Sequence, residues 1–217
     1  MFKVHSPLKW EEELAEVSAG DRNISDLAVA SASEAFKDWA NLSPQERASF
    51  LYRLADLIDM EVPNIARVEC TDMAMRYESL LNRVIPRGAR NFRAYADLAS
   101  EYQGRVWDSN GTTNLIQRLP AGPTVIITPW NAPFMLATWK VAPALAAGNT
   151  VVLKPAEWAP LSASILADLV DQAGFPPGVF NVVQGTGEEA GSFLTEDPKV
   201  RRISFTGSCE TARKIGI

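Results

Sequence analysis

From Thr124 onward the chain alternates short apolar runs with helix-length segments, and this alternation restricts its fold more than any other feature. The runs Thr124–Thr128, Thr150–Lys154, Val179–Gln184 and Arg202–Phe205 fit strands, and helical segments follow at Phe134–Ala147, Leu161–Ala173, Glu188–Thr195 and from Glu210. Nearly continuous apolar strands are those covered on both faces, and strand–helix–strand units close in parallel with a right-handed crossover. The expected fold class is therefore α/β, a doubly wound, parallel, Rossmann-like sheet.

The preceding residues predict a more solvated layer. Residues 1–119 carry 14 basic and 18 acidic side chains, against 7 and 8 in residues 120–217. Asp26–Trp39 places Leu27, Ala30, Ala35, Phe36 and Trp39 roughly on one helical face, with an interruption at Asn41-Leu42. Ser43-Pro44-Gln45-Glu46 reads as a capping box with proline in the first turn, followed by the stripe Phe50, Leu51, Leu54, Leu57 and Ile58. Pro63 is expected to open a further helix, and Leu80–Pro86 to end this stretch before a helix over Arg90–Glu101. Pro86 and Gly88 are expected to break the helix between Arg83, Arg87, Arg90 and Arg93, so these read as a solvated face. Asn110-Gly111, between the β-prone runs Gly104–Asp108 and Thr113–Leu119, predicts an antiparallel hairpin. The expected organisation is a helical part over 1–103, a hairpin over 104–119 and a Rossmann-like domain over 120–217.

Several functions are disfavoured by what the chain lacks. A net charge of −5 gives no footprint for nucleic acid or anionic lipid, so neither is expected as a partner. The first residues have no apolar core of a secretory signal, and no run approaches the ~18 apolar residues of a membrane span. His5, the single histidine, lies in a terminus expected to fray, so Ser-His-Asp, Cys-His and His-metal chemistries are not expected, nor is a bound metal. Cys70 and Cys209 form no CxxC pair, which fits a reducing, cytoplasmic setting.

In such sheets ligands bind beyond the carboxyl ends of the strands. The residues there are Pro129-Trp130-Asn131, Lys154-Pro155-Ala156-Glu157, Gly185-Thr186-Gly187 and Thr206-Gly207-Ser208. A carboxylate after the second strand, Glu157, suits the hydroxyls of an adenosine ribose, and Lys154 reaches the same place. Gly185 and Gly187 let backbone approach a ligand closely. These residues point to a nucleotide-binding α/β domain; a surface ion pair and plain turns are the structural alternative. Asn131 reads either as a cap for the following helix or as a functional amide.

Taken together, PWNAPFMLATWKVAPALAAGNTVVLKPAEWAPLSA, AGFPPGVFNVVQGTGEEAG and VRRISFTGS closely resemble the aldehyde dehydrogenase superfamily, in order and from about Asp26 to Ile217. The resemblance implies an incomplete aldehyde dehydrogenase fold and an NAD-type cofactor, NAD rather than NADP because a 2′-phosphate would meet Glu157. Lys154 and Glu157 would hold the adenosine ribose. Thr128, Pro129, Trp130, Asn131, Ala156, Gly187, Gly191, Phe205, Thr206, Gly207 and Ser208 would complete the cofactor site. Asn131 would be catalytic, its amide donating to the oxyanion formed when a thiolate attacks the aldehyde carbon. Ala132, Leu136 and Trp139 would line the substrate channel, with helix core as the alternative reading.

The resemblance also implies oxidation of an aldehyde, semialdehydes included, to the acid through a thiohemiacetal and a thioester. A small-molecule aldehyde would be the substrate, and a complete protein would form a homo-oligomer, dimer or tetramer, through the hairpin. The family's nucleophilic cysteine and general-base glutamate fall in a region that would follow Ile217, so this chain alone is expected to be inactive. Cys209, at a helix start, and Cys70 both read as structural. Two other readings stand beside this one. One is a non-catalytic nucleotide-binding or assembly module. The other, a short-chain hydroxyl dehydrogenase, is disfavoured because no Tyr-xxx-Lys pair follows these strands.

Overall fold

The structure, a computed structural model, describes residues 1–102 and 104–216. Gln103 and Ile217, the terminal positions of two of the expected segments, lie outside the described residues. The chain opens with an antiparallel hairpin, β1 (Phe2–Ser6) and β2 (Lys9–Val17), where a frayed terminus was expected. Val4 is buried, and His5 stacks on Trp10 at 5.1 Å while its Nδ1 lies 2.9 Å from the Trp10 carbonyl. These contacts hold a segment whose exposed, charged second strand carries little apolar signal.

Helix α1 (Arg22–Asn41) follows, capped by Asp21, and α2 (Pro44–Met73) starts at the expected capping box. The Ser43 hydroxyl accepts from the Glu46 amide at 3.2 Å, and Glu46 Oε2 from the Ser43 amide at 2.7 Å. Pro63 does not open a new helix; α2 runs through it for 30 residues. A mid-helix proline costs about 3 kcal/mol in isolation. Here Ile58, Val62, Ile65 and Ala66 bury a continuous stripe around an exposed Pro63, and that packing outweighs the local cost.

A short α3 (Tyr77–Ser79) and a π turn (Leu80–Val84) lead into α4 (Ile85–Glu101). The expected break at Pro86 and Gly88 is absent. Pro86 sits in the first turn of α4, where its missing N–H is tolerated. Gly88 is internal because α4 packs tightly on the next helix: a Cβ there would stand 2.7 Å from the Phe134 ring. The hairpin β3 (Arg105–Ser109) and β4 (Thr112–Ile116) turns at Asn110 and Gly111, both at positive φ as a two-residue turn requires.

The parallel sheet is built from β5 (Thr124–Ile127), β6 (Val151–Lys154), β7 (Phe180–Val182) and β8 (Arg202–Phe205), in the order β7-β6-β5-β8. Between them lie α5 (Pro133–Ala146), α6 (Leu161–Gln172), and a π turn (Gly187–Gly191) with the short α7 (Ser192–Glu196); α8 (Cys209–Gly216) follows β8. Both faces are covered, as the apolar runs required. Val125, Val152 and Val183 pack with Val29 and Ala32 of α1 and Leu194 of α7. Ile126, Val151 and Leu153 face the larger core of α2, α4, α5 and α6. Trp39 anchors that core, meeting Phe50 edge-on and Phe175 at a tilt and donating from its indole to the Leu145 carbonyl at 3.2 Å. No helix among the described residues is long and apolar enough to cross a membrane.

Candidate active site

Register brings the strand ends level. Ile127 pairs with Lys154 on one side and with Phe205 on the other, so Thr128, Pro155 and Thr206 leave the sheet at one edge. The chain also reverses its winding direction at β5, between β6 and β8, which is the switch point where open α/β sheets place ligands.

At the end of β6, Lys154 is 2% exposed and its Nζ lies 2.9 Å from Glu157 Oε2. Burial pushes the Lys154 ammonium below its ordinary value, and the Glu157 carboxylate opposes that shift. Glu157 is half-buried at the rim. One ammonium hydrogen is used by Glu157, so two remain to donate to a ligand. At the exit of the neighbouring β5, Thr128 is buried with its hydroxyl unpartnered. A charged pair and an orphaned hydroxyl at the exits of adjacent strands fit a polyhydroxylated ligand such as a dinucleotide.

A cleft of about 440 Å³ adjoins this corner. Trp130, Glu157, Trp158 and Thr186 form one wall, and Phe2 and Trp10 of the terminal hairpin form the other. Of the sequence-predicted residues, it brings Trp130 and Glu157 together. Thr128, Pro129, Asn131, Lys154, Ala156 and Phe205–Ser208 stand at the strand ends, and Gly187 and Gly191 on the π turn after β7, all outside its lining. Gly187 and Gly191 bound the π turn, capped by the Thr186 hydroxyl at 3.2 Å from the Glu189 amide. Ser208 caps α8 through the Thr211 amide at 3.1 Å, and Gly207 is required beside the Phe205 ring, which a Cβ would meet at 2.4 Å. Cys209 is exposed at the head of α8, and Cys70 is half-buried against the core.

Asn131 is exposed just before α5, and among the described residues its side chain makes no hydrogen bond. The capping alternative for it does not hold. Ala132 occupies the cap position without a side-chain bond, and the α5 N-terminus is instead capped from across the core by Glu69. Glu69 Oε1 accepts from the Phe134 amide at 2.5 Å and from the Ser162 hydroxyl at 2.8 Å. Three residues on, Asp72 Oδ2 accepts from the Leu161 amide at 3.0 Å at the start of α6. Burial raises Glu69 to about 7 and Asp72 to about 6, and each has one oxygen without a partner. These two carboxylates were not singled out in the sequence. The only local signal is acids continuing the buried stripe of Val62, Ile65 and Ala66.

Ala132 is buried, Leu136 half-buried and Trp139 partly exposed on successive turns, and the Leu136 amide closes onto the Ala132 carbonyl at 2.9 Å. Beside them Arg87 stacks over the Trp139 ring at 5.0 Å. Arg83, Arg87 and Arg90 are exposed, as a solvated face requires, while Arg93 is held by Asp56 and Asp59 at 2.6 Å each.

A sequence model of the aldehyde dehydrogenase family matches residues 1–216. The chain belongs to the aldehyde dehydrogenase family. Among curated aldehyde dehydrogenases, it is 45% identical to the 5-carboxymethyl-2-hydroxymuconate semialdehyde dehydrogenase of Escherichia coli, over 94% of this chain and 44% of that protein. It is 42% identical to the 2-aminomuconic semialdehyde dehydrogenase of Homo sapiens, over 88% of this chain and 39% of that protein. A solved NAD+ complex of an aldehyde dehydrogenase from Bacillus cereus superposes with a TM-score of 0.95 at 36% identity, over 99% of this chain and 44% of that one. The chain thus spans less than half the length of these aldehyde dehydrogenases, and its fold is the corresponding part of theirs.

Proposed function

We propose that the protein containing this chain oxidises an aldehyde, with semialdehydes as its substrate type, to the carboxylic acid with NAD, and that this chain supplies the cofactor site and the oxyanion-stabilising amide. The observation that carries this reading is the Lys154–Glu157 pair one strand from Thr128 and Asn131, in a chain of this family. Bound NAD supplies the hydride acceptor. Lys154 and Glu157 hold the ribose hydroxyls, with the free ammonium hydrogens donating and the carboxylate accepting. The same carboxylate repels a 2′-phosphate, which favours NAD over NADP. Thr128, Pro129, Trp130, Asn131, Ala156, Gly187, Gly191 and Phe205–Ser208 surround the cofactor. Semialdehyde and NAD are the chemistries named for relatives and solved neighbours.

Attack on the aldehyde carbon converts its oxygen to an oxyanion. Asn131, released from capping by Glu69, has both amide hydrogens free to donate there. Ala132, Leu136 and Trp139 form the substrate channel leading to it. We further assign residues 1–103, helical after the β1–β2 hairpin, as the first part of the cofactor-binding domain, 104–119 as an oligomerisation ribbon and 120–217 as the Rossmann-like cofactor domain of a homo-oligomer in a reducing compartment. The ribbon exposes Val106, Leu115 and Ile116, apolar surface of the kind a second subunit covers.

The test is Asn131→Ala in the complete protein. We expect kcat for aldehyde-dependent NADH formation to fall on the order of 10²–10³-fold, far more than any change in NAD affinity by fluorescence titration. Unaltered kcat removes Asn131 from the mechanism.

A further inference from the structure

Helix α2 also bonds the far ends of the two helices whose first amides it caps. Arg47, in the first turn of α2, is 7% exposed. Its Nε donates at 3.0 Å to the carbonyl of Ala146, the last residue of α5, and its Nη1 donates to the Leu42 carbonyl after α1. Arg53 donates from Nε at 2.9 Å to the carbonyl of Ala173, which ends α6. Neither guanidinium has a carboxylate within ion-pair distance among the described residues. With Glu69 on the first N–H of α5 and Asp72 on that of α6, α2 carries an acid for each N-terminus and an arginine for each C-terminus. The signs follow the helix dipole, positive at the amide end and negative at the carbonyl end. Arg47 and Arg53 precede the two acids on α2 yet meet the later ends of α5 and α6, so both helices run antiparallel to it.

The carbonyl end of α5 depends on such a donor. Pro143 lies inside the helix and removes one internal hydrogen bond near its end. The amides of Ala147, Gly148 and Asn149 return to Pro143, Leu145 and Ala144, which leaves the Ala146 carbonyl to Arg47. Gly148 stands at φ +84°, and a Cβ there would come within 3.3 Å of the guanidinium carbon, so the turn is shaped around this side chain. An α-helix is stiff along its axis, and the 14 residues of α5 span about 21 Å. Arg47 therefore acts roughly 20 Å from Asn131, which lies in the loop two residues before α5, and does not touch substrate. Arg53 acts in the same way on α6, whose first residue, Leu161, follows Glu157 by four positions.

We propose that Arg47 and Arg53 are positioning residues, each setting one half of the site with its partner acid on α2. Arg47 and Glu69 hold α5 by both ends and so aim the loop that carries Asn131. Arg53 and Asp72 hold α6 by both ends and so seat the corner made by Lys154 and Glu157. This proposal rests on the function proposed above, and it adds the residues that keep the two halves of that site in place. The two sets are separable because they end on different helices: loss of the first acts on the oxyanion, and loss of the second acts on the ribose.

The experiment uses the complete protein, unaltered and as Arg47→Met and Arg53→Met, which keep an unbranched side chain and remove the donors. Two constants are read: the single-turnover rate of NADH formation from succinic semialdehyde at saturating NAD, and NAD dissociation by fluorescence titration. A misplacement of about 1 Å costs on the order of 10²-fold in rate, and a fraction of that displacement is expected here. Arg47→Met should slow the turnover about 10-fold and change NAD binding by less than about 2-fold. Arg53→Met should weaken NAD binding roughly 5-fold and leave the saturated turnover within about 2-fold. Arg93→Met, whose partners Asp56 and Asp59 are also on α2 but cap no helix, should alter neither constant. Parallel losses in both constants, or no loss in either variant, overturn the proposal. If Arg47→Met does not fold, Arg47→Lys takes its place, because it keeps the charge and loses the fork. Its turnover must fall while NAD binding holds, and an unaltered turnover overturns the proposal. If the unaltered protein oxidises neither succinic semialdehyde nor propanal, the function proposed above fails instead. The positioning role is then judged by amide hydrogen exchange: Arg47→Met must quicken it in the first turn of α5 and spare α6, and Arg53→Met must do the reverse. Any other pattern overturns it.

Discussion

The helices that follow β5 and β6 are capped from a distance, whereas the turns that follow β7 and β8 cap themselves. Glu69 and Asp72, one helical turn apart on α2, reach the first amides of α5 and α6. Thr186 and Ser208 each bond an amide only three residues on. The difference decides which residues remain free for chemistry. In the first pair the loop side chains Asn131 and Glu157 have no capping duty, because a buried carboxylate elsewhere has taken it. In the second pair the loop spends its own hydroxyl on the cap, and what it offers a ligand is backbone and glycine.

Glu69→Ala should break this contrast most severely. It strands the Phe134 amide and the Ser162 hydroxyl inside the core, at about 1–3 kcal/mol each. We expect a loss on the order of 4 kcal/mol in denaturant unfolding of the protein. A loss comparable to that of an exposed cap would mean that α5 is held by other contacts.

A second effect, somewhat smaller, comes from pH. The folded Glu69 carboxyl sits at about 7 against an ordinary 4.5, so the folded state retains a proton that the unfolded chain has lost. Its stabilisation is complete below about pH 4.5 and is lost as pH rises through 7. That shift corresponds to roughly 3 kcal/mol across the window. Asp72, raised from 3.8 to about 6, contributes in the same direction at lower pH. Glu69→Gln keeps the hydrogen bonds and removes the titration, so melting temperatures of this variant should be flatter than those of the unaltered protein between pH 4.5 and 7. Parallel pH profiles for the two proteins would contradict the assignment.

The smallest expected effects are those of the local caps. Thr186→Ala and Ser208→Ala should each cost about 1 kcal/mol, and their amide exchange should quicken only within the turn each one caps. Quickened exchange at α5 or α6 in either variant would erase the distinction between the two kinds of capping.

The same contrast explains how much could be read from the sequence. The parallel strands were legible because burial on both faces leaves uninterrupted apolar runs, as in Val151-Val152-Leu153. Capping at Ser43-Glu46 and the turn at Asn110-Gly111 were legible because cause and consequence lie within four residues. Continuity of α2 through Pro63 was not, since packing of Ile58, Val62 and Ile65 decides it rather than the proline's neighbours. The terminal hairpin was missed because β2 is mostly exposed and charged, and its anchoring depends on Val4 and on the His5–Trp10 stack. For the site, Lys154 and Glu157 were readable as a pair three residues apart after a strand. Glu69 and Asp72 were not, because their partners lie 65 to 93 residues away and nothing local marks a carboxylate that will cap a distant helix.

The most direct measurement of distant capping is residue-resolved amide hydrogen exchange of the complete protein, unaltered and as Glu69→Ala and Ser208→Ala. Glu69→Ala should speed exchange at the Phe134 amide and through the first turn of α5, and Ser208→Ala should speed it at Thr211 alone. Protection at Phe134 that survives the loss of Glu69 would contradict the claim that α2 sets the start of α5 and thereby frees Asn131.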